Sequence, residues 1–305
     1  MIDNPLIVAI RLGLYLAIGG VFGVSLFALY GLPAAGLGAL SLRRVVGVGA
    51  GVGLALSILG LAALTAGMAG TPLAAITSDD LRAIAGMPGI GDASIARIVA
   101  LCALAGAALV LRSGRMLALL GAPLGAVALG SLAWNGHGAA TEGRVGDLHL
   151  ASDIAHLLAA AAWLGALAAL GLLIVRAKGL RTKEDVAAAH RALEGFSVAG
   201  TLIVGIIVAT GLVNAWLLVG PDHVQELGDT LYGRLLVAKL ALFLGMVLLA
   251  SINRYRLTPA LATAAHDPRA AIGALRRSLA FETAAAVSIL ALVAWLGTLM
   301  PPTAM

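Results

Sequence analysis

Charge is what this chain has least of. Only 11% of its 305 residues are Asp, Glu, Lys or Arg, where an ordinary globular chain carries about 25%. So little charge cannot clothe a water-soluble fold of this length, and a disordered chain would need far more polar residues. The single cysteine, Cys102, rules out an intramolecular disulfide and with it a disulfide-stapled secreted scaffold. Cys102 sits in an apolar run and reads as a small core residue rather than a metal ligand. The start does not read as a signal peptide: Asp3 stands where basic residues would be, and the apolar run from Leu6 is too long for a signal-peptide core.

What the chain has in abundance is apolar length. Hydrophobic residues make up 61%, mean hydropathy is +1.02, and 39 glycines suit helices packed closely in lipid. A membrane-crossing helix needs about 20 mainly apolar residues. Eight stretches qualify, at approximately 8–31, 45–70, 95–111, 116–134, 152–175, 196–219, 232–252 and 280–299. The runs are continuously apolar rather than alternating, which excludes a β-barrel. The expectation is an all-α polytopic helix bundle in the lipid bilayer, forming one integral membrane domain over residues 1–305. Gly19 with Gly23, Gly49 with Gly53 and Gly121 with Gly125 are small residues four apart, spaced for close helix contact. Pro123 falls inside the fourth span and should bend it.

The net charge of +5 and pI near 9.9 do not indicate a nucleic-acid partner, because the basic residues collect in alternate connections. Arg43, Arg44, Arg112, Arg115, Arg176, Lys178, Arg181, Lys183, Arg191, Arg254, Arg256, Arg269, Arg276 and Arg277 follow spans one, three, five and seven. The opposite connections hold only Arg82 and Arg144, among acids such as Asp79, Asp80, Asp92, Glu142, Asp147, Asp222, Glu226 and Asp229. The positive-inside rule then puts both termini outside. Trp134, Trp216 and Tyr232 are expected as an aromatic belt at the outer interface.

Histidines divide by side. His190 and His266 fall in basic inner loops, whereas His137, His149, His156 and His223 lie outside or at the outer boundary. From a helix start near His149, the series His149, Asp153, His156 runs i, i+4, i+7 along one face. Two imidazoles at that spacing are roughly 10 Å apart, too far to share one ion on a regular helix. They are therefore either successive stations, or His149 belongs to a loop folded over the helix, with His137 free on a Gly-flanked segment. Asp153 could orient a neighbouring imidazole. His156 stands inside the fifth span, where an ionisable group is costly; it is either functional or hydrogen-bonded to a neighbouring helix. His223, in Pro221-Asp222-His223, reads as a turn residue.

Lys239 and Asn214 enter their spans to similar depth from outside, Arg11 lies in the outer part of the first, and Glu282 opens the eighth near Arg254, Arg276 and Arg277. Met68 and Met300, with Met1, Met87 and Met305, fall on the outer face. Thioether and imidazole ligands on the oxidising side point to copper rather than magnesium or calcium, which need clustered oxygens.

The stretch Gly136-His137 to His156-Leu157-Leu158-Ala159-Ala160-Ala161-Ala162-Trp163-Leu164-Gly165 resembles the bacterial CopD/PcoD copper-resistance membrane proteins. So do Tyr232 to Phe243, Asn253-Arg254-Tyr255-Arg256-Leu257, and Arg277 through Glu282 to Met300-Pro301-Pro302. The resemblance implies an eight-span inner-membrane protein that carries copper, from periplasm toward cytoplasm, with His137, His149 and His156 as ligands. It implies copper homeostasis without enzymatic chemistry, and a periplasmic copper-binding protein as a partner. Two other functions stand as alternatives: a haem b electron carrier, which needs axial histidines on facing spans where only His156 lies inside one, and a non-transporting partner of a periplasmic copper carrier. No His-Glu-x-x-His motif of a metalloprotease is present.

The charge asymmetry makes a direct prediction. A cysteine placed at Thr303 should react with a membrane-impermeant maleimide applied to the periplasmic face, and one at Arg112 should not. The reverse labelling would overturn both the orientation and the side assigned to the histidines.

Overall fold

A computed structural model of the chain describes residues 4–32, 37, 40–141, 143–176, 183–257, 259 and 268–304. The described residues are almost wholly helical, and eight helices are long and apolar enough to cross a membrane. They begin with α1 (Pro5–Tyr30) and α2 (Leu42–Ala69), then a short α3 (Ser78–Ala85), α4 (Ile90–Val110) and α5 (Gly114–Gly130). The second half comprises α6 (Gly143–Arg176), α7 (Lys183–Leu218), α8 (Leu231–Ile252) and α9 (Pro268–Leu296). Each predicted span lies on one of the eight long helices. The helices α6, α7 and α9 start well before the apolar residues do, because hydropathy marks where lipid begins while Ala-, Lys- and Glu-rich turns continue the helix beyond it. The basic segments at 177–182 and 260–267, with His266, lie outside the described residues.

Local chemistry sets the helix starts. Asn4 caps α1 by accepting from the Leu6 N–H at 3.0 Å, with Pro5 at the first helical position. The short α3, absent from the span reading, is announced by Thr77-Ser78-Asp79-Asp80: the Thr77 and Asp80 side chains reciprocally satisfy each other's backbone N–H groups. The Thr77 hydroxyl and backbone N–H both donate to the Asp80 carboxylate and hold it below its ordinary range. Pro123 lies within α5, which continues past it.

The helix α1 is the hub, packed against α2, α5, α6 and α9. Its Ile18, Val21, Val24 and Phe27 are almost fully buried. The spaced glycines explain how so many helices reach it. An added Cβ on Gly23 would lie 2.1 Å from the Ala161 carbonyl oxygen, and one on Gly165 would lie 2.1 Å from the Gly23 carbonyl carbon. The backbones of α1 and α6 therefore touch directly, as small-residue contacts permit in lipid. Gly49 and Gly53 of α2 face Val21 and Ile18 of α1, and Gly121 and Gly125 of α5 face Ser25 and Phe22. By contrast α7 and α8 turn Val198, Leu212, Leu244 and Leu248 outward, the pattern of helices bathed in acyl chains.

Two expectations are corrected here. Cys102 is exposed on the outer surface of α4, where lipid accepts a thiol as readily as a core does. Tyr232 is buried, 6% exposed, and is not part of an aromatic belt; Trp216, 67% exposed, does face outward.

Gly165→Ala should lower the thermal stability of the detergent-purified protein by about 1–3 kcal/mol, the usual range for overpacking. Gly171→Ala, where nothing lies within 4 Å of the new Cβ, should leave it unchanged.

Candidate metal site

The first half of α6 carries His149, Asp153 and His156 on a single regular helix that begins at Gly143. His149 therefore does not sit in a loop folded back over His156; the two imidazoles are roughly 10 Å apart along the axis. His137 lies on a short turn, His137–Ala140, directly before α6; its side chain is outside the described set. Among the described residues no group of three His, Cys, Asp or Glu side chains converges on one point. The arrangement is a row of stations.

Each α6 histidine is tied at the same nitrogen. His156 Nδ1 lies 2.9 Å from the Thr210 hydroxyl of α7. That hydroxyl donates its only proton to the Ile206 carbonyl at 2.6 Å, so toward the ring it can only accept. His156 therefore donates from Nδ1, and in the neutral imidazole the lone pair is on Nε2. Gly211 of α7 leaves room for the ring, whose Cε1 lies 3.6 Å from where a Cβ would stand. His149 Nδ1 is 3.0 Å from the Thr141 hydroxyl. The residue is 1% exposed, and its Nε2 is buried without a hydrogen-bond partner. A buried ring nitrogen left unsatisfied is uncommon and calls for a ligand.

Asp153 lies between them. Its Oδ1 accepts from Asn214 Nδ2 of α7 at 2.7 Å, and the Gly138 N–H donates to the same carboxylate. An added Cβ on Gly138 would be 2.6 Å from Asp153 Oδ2, so a larger residue there would push the carboxylate aside. Lys239 of α8 and His149 both lie within electrostatic reach of Asp153, Lys239 also reaches His156, and Tyr232 faces the same acid. Asp153, Asn214 and Lys239 thus stand together on the His156 side of α6. Arg11 stands apart, donating to the carbonyls of Gly297 (2.9 Å) and Asn135 (3.2 Å).

Met68 and Met300 are not in this cluster. Met68 is 51% exposed near the end of α2 and Met300 is 55% exposed just beyond α9. His223 Nδ1 is 3.1 Å from the Val219 carbonyl within its own turn, as expected of a turn residue. At the opposite end of the bundle Glu282, 1% exposed, is met by the Asn253 amide, while Arg254, one of its expected partners, donates to Thr201. Sequence reasoning passed over Thr210, Thr141 and Gly138. Thr210 was findable, because it stands four residues before Asn214 and so marks a polar stripe on an otherwise apolar helix.

These features define a class: a multi-pass helical membrane protein with a histidine and carboxylate row at one end of its bundle. Two family models match the chain, "Copper resistance protein D-like, N-terminal domain" over residues 1–147 and "Copper resistance protein D" over residues 190–296. The Copper resistance protein D of Pseudomonas syringae pv. tomato is 38% identical over 310 residues, covering 98% of both chains. The Inner membrane protein YebZ of Escherichia coli K12 is 34% identical over 42% of each chain. The Copper transport protein CutJ of Bacillus subtilis 168 is 32% identical over 40% of this chain and 21% of its own. No solved structure matches. The chain belongs to the copper resistance protein D family, and that membership supports a role in copper homeostasis.

Proposed function

We propose that this protein binds copper at the periplasmic boundary of the bacterial inner membrane and passes it inward through the bundle, without enzymatic chemistry. The observation that carries the reading is the buried Nε2 of His149, which has no hydrogen-bond partner among the described residues. It belongs to a repeated device: on both α6 histidines a threonine hydroxyl engages Nδ1, which assigns the ligand role to Nε2. Fixing the second ring nitrogen in this way orients a histidine ligand and sets its tautomer. Neutral imidazole suits copper in either oxidation state, and the oxidising side of the membrane is where a soft-metal cargo arrives.

In this scheme His137, on its glycine-flanked turn, receives the ion from a periplasmic copper-binding protein. His149 and then His156 carry it into the membrane. Asp153 supplies a negative charge between the two stations, held in place by Asn214 and Gly138. Lys239, facing Asp153 from α8, balances that charge when no cation is bound. A row of weak stations suits passage better than one closed site, since the ion must leave as readily as it enters. The termini lie in the periplasm, and residues 1–305 act as one membrane domain.

The test is copper binding to the purified protein and copper uptake into liposomes, with Cu(I) and Cu(II) compared. His156→Ala and His149→Ala should each abolish uptake. Thr210→Val, which frees the His156 ring without removing it, should weaken binding about 10–100-fold. His190→Ala and His266→Ala should change neither. Normal uptake by folded His156→Ala and His149→Ala proteins would refute the proposal; binding without uptake in the wild type would make the protein a copper-delivery partner instead of a permease.

A further inference from the structure

A second polar feature lies away from the histidine row, and the copper scheme does not use it. Arg97 of α4 is 2% exposed, deep in an apolar bundle. Its guanidinium meets three hydroxyls, Ser57 at 3.2 Å, Ser131 at 3.3 Å and Ser94 at 3.4 Å. Each serine has already donated its proton to a helix carbonyl, respectively of Gly53, Ala128 and Ile90. The hydroxyls can therefore only accept from Arg97; they solvate the cation but do not neutralise it. Three long, neutral contacts leave two of its five N–H groups without a partner among the described residues.

Arg97 lines a cavity of about 120 Å³ between α1, α2 and α4, and Arg11 lines the same cavity. Arg11 likewise has only neutral acceptors, the carbonyls of Gly297 and Asn135. Neither guanidinium has a described carboxylate within 4.0 Å. Tyr15 and Asn135 contribute the other polar walls, and Ile10 and Leu64 are among the apolar ones. Two cations facing one small, largely apolar space repel each other and are each costly in a membrane. Native proteins keep such groups where a counter-charge resides.

We propose that this cavity is an anion site, in which Arg97 and Arg11 hold one phosphate group. The planar fork of arginine matches phosphate oxygens in pairs. The volume equals that of about four liquid waters, enough for a single tetrahedral oxyanion and too small for a nucleotide. The phosphate comes either from the headgroup of an anionic phospholipid or from solution.

The experiment uses full-length protein delipidated in a non-ionic detergent at fixed chloride concentration. Phosphatidylglycerol, the corresponding diacylglycerol without phosphate, or inorganic phosphate is added, and thermal unfolding and native mass spectra are recorded. A phosphate-bearing ligand should raise Tm by about 5 °C at one hundred times its Kd, and diacylglycerol should not. Arg11→Gln, at the rim of the cavity where folding is least at risk, should weaken this response at least tenfold. Arg97→Lys, which keeps the charge and loses the fork, should weaken it less. A response to phosphatidylglycerol alone assigns the lipid headgroup, and a response to inorganic phosphate assigns the free ion. No response to either, an equal response to diacylglycerol, or an unchanged response in Arg11→Gln would overturn the proposal.

Discussion

Gly23 of α1 and Gly165 of α6 meet backbone to backbone, and the position of everything α6 carries follows from that contact. With no side chain between them the two helices lie as close as their main chains allow. Along its remaining length α1 receives α2 and α5 through the same kind of glycine contact, so the first half of the molecule is anchored on one helix. The outer turns of α6 then stand against α7, where Thr210 and Asn214 meet His156 and Asp153. In lipid, apolar burial cannot drive helices together, so close van der Waals contact and interhelical hydrogen bonds must do so. Both occur on α6, the close contact against α1 and the hydrogen bonds against α7.

The bundle treats its buried polar groups consistently. Thr210 and Thr141 engage imidazoles, Asn214 engages Asp153, three serines surround Arg97, and Asn253 meets Glu282. Neutral hydroxyls and amides take the place that ion partners would hold in a soluble core. Such groups satisfy hydrogen-bonding capacity without themselves cancelling charge. A direct Lys239–Asp153 ion pair would instead occupy the acid permanently. The polar groups are thus placed where they can exchange partners, which suits a copper-handling family.

The helices were legible because lipid imposes one strong rule, about twenty apolar residues per crossing, and each stretch that obeys it is a helix in the structure. The relation of Asp153, Asn214 and Lys239 was also legible, since polar residues at matching depth in neighbouring spans have few alternatives to meeting. Less visible was anything decided by helix rotation. Hydropathy alone did not reveal that Tyr232 turns inward and Cys102 outward, because an all-round apolar helix gives no periodic signal for its buried face. Nor could the continuation of α6 back to Gly143 be read, which is what makes His149 a helical residue rather than a loop ligand. Ser94 stands one turn before Arg97 on α4, but Ser57 of α2 and Ser131 just past α5 are far from it in sequence, and only the fold brings them to Arg97.

The account stands on copper being held by the Nε2 atoms of the α6 histidines. Copper K-edge absorption spectroscopy of the loaded, detergent-purified protein reads those ligands directly. Imidazole outer-shell scattering should be present in the wild type and diminished in His156→Ala. A spectrum with sulfur scatterers alone, or one identical in wild type and variant, would contradict it.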